Sequence, residues 1–176
     1  MAGVNDMYVY MTSGTHEFLK TLENKHMDET LILMDNADTS VLVHETEGKS
    51  VFQEPRRYEV IDSTGDLKKH GFVVINNIPV SDEGRPVFEY RFKNRAGLIE
   101  EVDGFIAIRV LRPIETDTYA ILTQWEDEHS FKQWQDSQQY AKAHEKRGTE
   151  DGVDAQRNMF PRPSYVTQYS IAADED

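Results

Sequence analysis

Cysteine does not occur in the 176-residue chain. That absence excludes disulfides, thiolate nucleophiles, iron–sulfur clusters and thiolate ligation of a metal, so a metal ligand must be histidine, carboxylate or tyrosine. Basic residues are few: nineteen Lys and Arg face thirty-two Asp and Glu, a formal charge of −13. Such a surface repels phosphate backbones and anionic headgroups, and neither nucleic acid nor membrane is expected as a partner. No apolar run approaches the length of a membrane span. The start, Met1-Ala2-Gly3-Val4-Asn5-Asp6, has neither a basic patch nor a signal-like apolar segment, so the expected location is the cytoplasm. His16, His26, His44, His70 and His129 fall at no zinc-ligand spacing. The nucleophile elbow, the P-loop and the dinucleotide fingerprint are also missing.

What is present is globular composition, with 38% apolar residues to build a core. Residues 7–11 read as a strand, followed by a turn with a helix N-cap at Ser13-Gly14-Thr15 and an amphipathic helix carrying Phe18, Leu19 and Leu22. Residues 30–34 and 40–44 read as two strands around the turn Asp35-Asn36-Ala37-Asp38. The segment 51–61 closes this half as a helical stretch interrupted at Pro55. A polar linker over Asp62 to Gly71 divides 1–66 from 70–176. The second unit opens with a strand at 72–80 and a helix at 85–95 with Pro86 in its first turn. Strands at 104–111 and 118–125, a long helical stretch at 127–146 and a last strand at 164–171 complete it. The order β-α-β-β-α-β is the ferredoxin-like plan, and its approximate repetition in the first half points to an internal repeat. The expected class is α+β, with two related halves burying their naked sheet faces against each other as an intramolecular pseudo-dimer.

Three residues stand out chemically. Strand alternation puts Asn76 on one face with Ile78 and Val80, and Asn77 with Pro79 on the other. An amide among apolar residues is either a satisfied structural group or one whose donor is free for a ligand. In the long helical stretch, Phe131 and Trp134 lie at i, i+3 and Tyr140 and His144 at i, i+4. Ten residues separate Trp134 from His144, an offset of about 80° on a straight helix. A break at Asp136-Ser137, with Ser137 capping a second segment, is therefore expected. By themselves, a residue such as Trp134 is more often core than cofactor contact, and one such as His144 more often a surface or capping residue than a ligand.

Together, Ile75-Asn76-Asn77-Ile78-Pro79-Val80, Phe92-Lys93-Asn94-Arg95-Ala96-Gly97, Gly104-Phe105-x-x-Ile108-x-Val110-Leu111-Arg112-Pro113 and Trp125-x8-Trp134-x2-Ser137-x2-Tyr140-x2-Ala143-His144 resemble the antibiotic-biosynthesis-monooxygenase superfamily. Within it they resemble the IsdG-type heme-degrading enzymes. Tyr10-x3-Gly14-Thr15-x2-Phe18-Leu19 and His44-Glu45-Thr46 extend the resemblance to the two-domain HmoB-type monooxygenases. The resemblance implies a dimeric-α/β-barrel fold and a heme-binding second half. It implies that His144 ligates the heme iron, Asn76 hydrogen-bonds the distal ligand and Trp134 presses on the porphyrin. Ile78 and Val80 stand two and four positions after Asn76, as the motif requires, so Asn76 is preferred to Asn77. Heme is then cofactor and substrate, consumed with O2 and electrons from an external donor, a reductase partner, because nothing in the chain resembles a flavin or nicotinamide site. If the first half covers the sheet in cis, a monomer is expected. The same two-half layout resembles staphylococcal TRAP-type signal transduction proteins, which lack the full Asn, Trp, His set, so the alternatives are a heme carrier or sensor and a signalling protein without catalysis.

Overall fold

The computed structural model describes residues 6–93, 98–145 and 159–172, with side chains over 6–92, 99–137 and 159–172. Its first half runs β1 (Tyr8–Gly14), α1 (His16–Lys25), β2 (Thr30–Asp35), β3 (Ser40–Thr46) and β4 (Arg56–Thr64). In β1 the buried side chains alternate: Val9 and Met11 point inward and Tyr10 outward. Thr15 caps α1, its hydroxyl accepting the Phe18 N–H at 3.2 Å, and α1 buries Leu19 on the outer sheet face with Leu31, Leu33 and Leu42. The β2–β3 turn is held by Asn36, whose Oδ1 accepts the Asp38 and Thr39 N–H groups, each at 2.9 Å.

The expected helical closure of this half over 51–61 is not what forms. The chain is irregular to Pro55 and then enters β4, which pairs with β1. Pro55 forbids the helix. Beyond it Tyr58 is buried in the core and the β-branched Val60 and Ile61 suit a pleated surface. The linker is correspondingly shorter than expected, because Asp62 to Thr64 belong to β4.

The second half follows its expected order: β5 (Gly71–Pro79), α2 (Arg85–Lys93), a 3-10 turn at Leu98–Glu101, β6 (Phe105–Pro113), β7 (Thr118–Trp125), α3 (Glu128–Glu145) and β8 (Tyr165–Ile171). All eight strands close into one barrel, in the order β1-β3-β2-β8-β5-β7-β6-β4. Numbered within each half, both contributions run 4-1-3-2, the strand order of a ferredoxin-like sheet. Two seams join them. One pairs β4 with β6 from Tyr58↔Pro113 to Thr64↔Ile108. The other, β2 with β8, has the single register pair Asp35↔Ser170, supplemented by Asn36 Nδ2 donating to the Gln168 carbonyl at 3.2 Å.

The lumen holds a core to which every strand contributes, among them Met11, Ile32, Val43, Tyr58, Ile75, Leu111, Leu122 and Tyr169. One end is sealed by the linker. Leu67 packs on the luminal core, and the buried Gln124 amide accepts the Lys68 N–H at 3.0 Å and donates to the carbonyls of Lys68 at 2.7 Å and His70 at 2.8 Å. At the same end Arg109 of β6 reaches across to Glu45 of β3, Nε to Oε2 at 2.5 Å, and also donates to the Thr64 and Ile108 carbonyls. No helix among the described residues is long and apolar enough to cross a membrane.

Arg109 and Glu45 are 6% and 12% exposed, so removing one partner strands a charge away from water. Arg109→Met is expected to cost about 3–5 kcal/mol, seen as a lower urea midpoint at unchanged slope. Arg109→Met with Glu45→Met should recover much of that loss.

Candidate functional site

The outer face of the second half's sheet lies under α2 and α3. Alternation turns Phe72, Val74, Asn76 and Ile78 of β5 toward the helices, with Tyr119, Ile121 and Trp125 of β7 and Ile108 and Val110 of β6. Two aromatic groups cover this face. Under α3, Trp134 sits 5.6 Å from Trp125 and 6.3 Å from Phe131, and Phe131 lies 6.1 Å from Phe72. Under α2, Phe88 lies 4.6 Å from Tyr119, 4.9 Å from Phe92 and 6.3 Å from Phe160. In register Phe72 pairs with Trp125 and Ile78 with Tyr119, so Asn76, paired with Ile121, stands on β5 between the two groups.

Asn76 Oδ1 is shielded from water and has no hydrogen-bond partner among the described residues. An orphaned amide of this kind costs about 1–3 kcal/mol and marks a position from which something else accepts or donates a hydrogen bond. Asn77 is the opposite case. It points into the lumen, where Nδ2 donates to the Ile75 carbonyl (3.3 Å), the Tyr165 carbonyl (3.2 Å) and Thr167 Oγ1 (3.3 Å). Of the two adjacent amides, only Asn76 has a shielded side-chain atom left without a partner among the described residues. On its other flank Asn76 pairs with Val166 of β8, which is 49% exposed beside the 56% exposed Tyr165, so this side of the face opens to solvent.

The expected break in α3 is absent: Glu128–Glu145 is one continuous helix. Ser137 does not cap a new segment but donates its hydroxyl to the Trp134 carbonyl at 2.7 Å, a back-bond that a helix interior accommodates. Trp134 is half-buried at the edge of the aromatic group. His144 falls in the last turn of α3, and its side chain lies outside the described residues. The structure thus brings Asn76 and Trp134 to one face. Among the described residues no three His, Asp or Glu side chains gather as a metal-binding group.

Sequence reasoning passed over the polar anchor of α2. Glu89 accepts from Arg112 of β6 through Nε (2.8 Å) and Nη2 (2.5 Å), and from the Tyr119 hydroxyl of β7. Arg112 Nη1 also donates to Glu59 of β4 at 2.7 Å, which ties the first half to the helix over the site. Arg85 lies over the Tyr119 ring, 5.6 Å from its centroid, and Nη2 donates to the Thr116 carbonyl at 2.7 Å. Burial, then the bond to Glu89 and its charge, push the Tyr119 phenol above the ordinary tyrosine value. Hydrogen bonding to Glu89 raises the Arg112 guanidinium further above its own. Of this set only Arg112 belongs to a family-like motif, that of residues 104–113. The others were invisible because their partners are separated by 23 to 53 positions.

Two outcomes follow from the anchor. Arg112→Met should raise amide exchange across α2 by about tenfold or more while β5 and β7 stay protected, and unchanged α2 protection would show the anchor to be unimportant. Because the Tyr119 pKa is higher folded than unfolded, the unfolded chain releases this proton first and stability falls as pH rises past 10.0. Tyr119→Phe should flatten that part of the urea stability profile.

Residues 71–146 match the family model described as antibiotic biosynthesis monooxygenase. The chain is similar to the signal transduction protein TRAP of Staphylococcus epidermidis, 34% identical over 115 residues that cover 65% of this chain and 69% of that one. It is similar to a heme-degrading monooxygenase of Listeria monocytogenes, 28% identical over 129 residues that cover 73% of this chain and 77% of the relative. A solved structure described as that of a major regulator of staphylococcal pathogenesis superposes with a TM-score of 0.80 at 24% identity, over 94% of this chain and 99% of that one, a likeness of fold.

Proposed function

The chain belongs to the same family as staphylococcal TRAP and carries an antibiotic biosynthesis monooxygenase domain over residues 71–146, and from that premise we propose that it is a heme-degrading monooxygenase. It binds heme on the outer face of the second half's sheet and opens the porphyrin with O2 and electrons from an external donor, releasing iron. The observation that carries this reading is Asn76, whose shielded Oδ1 has no hydrogen-bond partner among the described residues and lies between two aromatic groups.

The residues fit the group. A porphyrin is a flat apolar disc, and Trp134, Phe92, Phe160 and Ile78 are among the partly buried apolar side chains packed against this face. The net charge of −13 opposes a dianionic porphyrin at a distance, so short-range contact and a ligand bond must hold it. His144 would hold the heme iron, a role for which a neutral imidazole is suited. Heme supplies the redox chemistry when bound. Asn76, whose amide nitrogen and oxygen exchange places by a half-turn about Cβ–Cγ, would donate a hydrogen bond to a ligand bound beside it. Trp134 would press its indole against the bound ring. Phe88 and Phe92, held through Glu89 and Arg112, would keep water from it.

The assembly that goes with this reading is a monomer in which 1–66 and 70–176 form an intramolecular pseudo-dimer. The shared 4-1-3-2 strand order and the two seams support it. A reductase partner and a cytoplasmic location belong to the same proposal. One observation favours a second reading: the TRAP relative is the more identical of the two compared, 34% against 28%, which speaks for a regulatory protein without catalysis.

Absorbance titration with hemin, followed by ascorbate in air, separates the readings. Wild type is expected to form a Soret band that decays. His144→Ala should lose the band or broaden it, and Asn76→Ala and Trp134→Ala should bind hemin yet lose decay by about tenfold or more. A stable band in wild type would make the protein a heme carrier or sensor. No band would favour the regulatory reading.

A further inference from the structure

The outer face of the first half is not simply covered. Tyr10 of β1 stands in register between His44 of β3 and Arg57 of β4. The irregular chain from Lys49 to Pro55 crosses above them, in the position in sequence where the other half has its second helix. Between that crossing and the sheet lies a cavity of about 290 Å³, lined by Tyr10, Lys49, Ser50, Phe52, Pro55 and Arg57.

Its wall is held from behind. His44 is fully buried, and Nε2 lies 2.6 Å from Glu29 Oε1. With that nitrogen donating to the carboxylate, Nδ1 is the acceptor, and Ser50 Oγ and the Val51 N–H both approach it at 3.4 Å. The Phe52 N–H donates to Ser50 Oγ at 3.0 Å, the Phe52 ring meets His44 edge-on at 5.7 Å, and the Tyr10 hydroxyl donates to the Gly48 carbonyl at 3.1 Å. The crossing segment is thus tied to the sheet at Gly48, Ser50, Val51 and Phe52, and a ligand would not have to order it.

We propose that this cavity is a second ligand site, for a small aromatic carboxylate. Phe52, Pro55 and the Tyr10 ring offer apolar contact, and Lys49 and Arg57 supply two cations in a chain whose charge is −13. Lys49 has no ion pair among the described residues. Arg57 meets Glu115 at 3.3 Å, but both side chains are at least half exposed, and such a pair contributes only about 0–1 kcal/mol. A ligand carboxylate therefore displaces Glu115 at small cost and gains a charge-assisted bond. The volume lies at the lower limit of ligand pockets, roughly 300–1,000 Å³, which suits one ring with its carboxylate and excludes a macrocycle. The site is independent of the heme reading, since it shares no residue with the Asn76 face.

The test is an amide chemical-shift titration of the full-length protein with benzoate and 4-hydroxybenzoate, with benzyl alcohol as the uncharged probe. Saturable shifts are expected at Tyr10, Lys49 to Phe52 and Arg57, with both carboxylates binding about tenfold or more tightly than the alcohol. Lys49→Met combined with Arg57→Met should weaken benzoate by about tenfold or more, while Asn76→Ala binds as wild type does. Both substituted positions are on the surface, and the unaltered remainder of the spectrum reports that the fold is intact. No saturable shifts at these residues, equal binding of benzyl alcohol, or undiminished binding by the double variant would each overturn the proposal.

Discussion

Burial of two inner sheet faces against each other is the interaction on which the rest of this molecule depends. A four-stranded ferredoxin-like sheet covers one face with its helices and leaves the other apolar and bare. Here the two bare faces meet, and a single luminal core draws side chains from all eight strands. Closing the barrel also pairs the sheet edges, which would otherwise offer unpaired backbone groups to other chains. The polar groups that enter the lumen are matched: Arg109 with Glu45, Gln124 with the linker backbone, Asn77 with β5 and β8. Each match joins segments remote in sequence, and that of Arg109 with Glu45 joins the two halves, so it exists only once the barrel has closed.

With the inner faces consumed, chemistry is left to the outer ones, and the two halves use theirs differently. The second half lays two helices over its sheet and, among the described residues, leaves Asn76 Oδ1 without a partner between aromatic groups. The first half has only α1 and replaces a second helix with a tied crossing over a small cavity. The same 4-1-3-2 frame therefore presents a broad apolar face on one side and a compact cationic one on the other.

The halves are also mechanically connected. Glu59 of β4 holds Arg112, which holds Glu89 of α2, with the buried Tyr119 hydroxyl as a third contact. The helix over the candidate site is thus positioned in part by the other half. A chain of charge-assisted bonds of this type transmits geometry well, because each partner has few alternative places to go away from water.

Much was legible in the sequence by itself. Short apolar runs bounded by turn residues located seven of the eight strands, and Thr15 announced α1. The misreadings share a cause. In β4, local signals around Pro55 were mixed, and what makes a strand there is the pairing with β1 and β6, contacts the local window does not contain. The break expected in α3 rested on the spacing of Trp134 and His144, whereas Ser137 is satisfied inside the helix by its back-bond. Sequence alone determined the α+β class, the strand and helix order of the second half and the identity of the candidate residues, because these are set by side-chain type and spacing over a few positions. Which amide goes unpaired, which carboxylate anchors α2 and where a first-half cavity opens were decided by tertiary structure, because hydrogen-bond satisfaction is a property of groups brought together from distant parts of the chain.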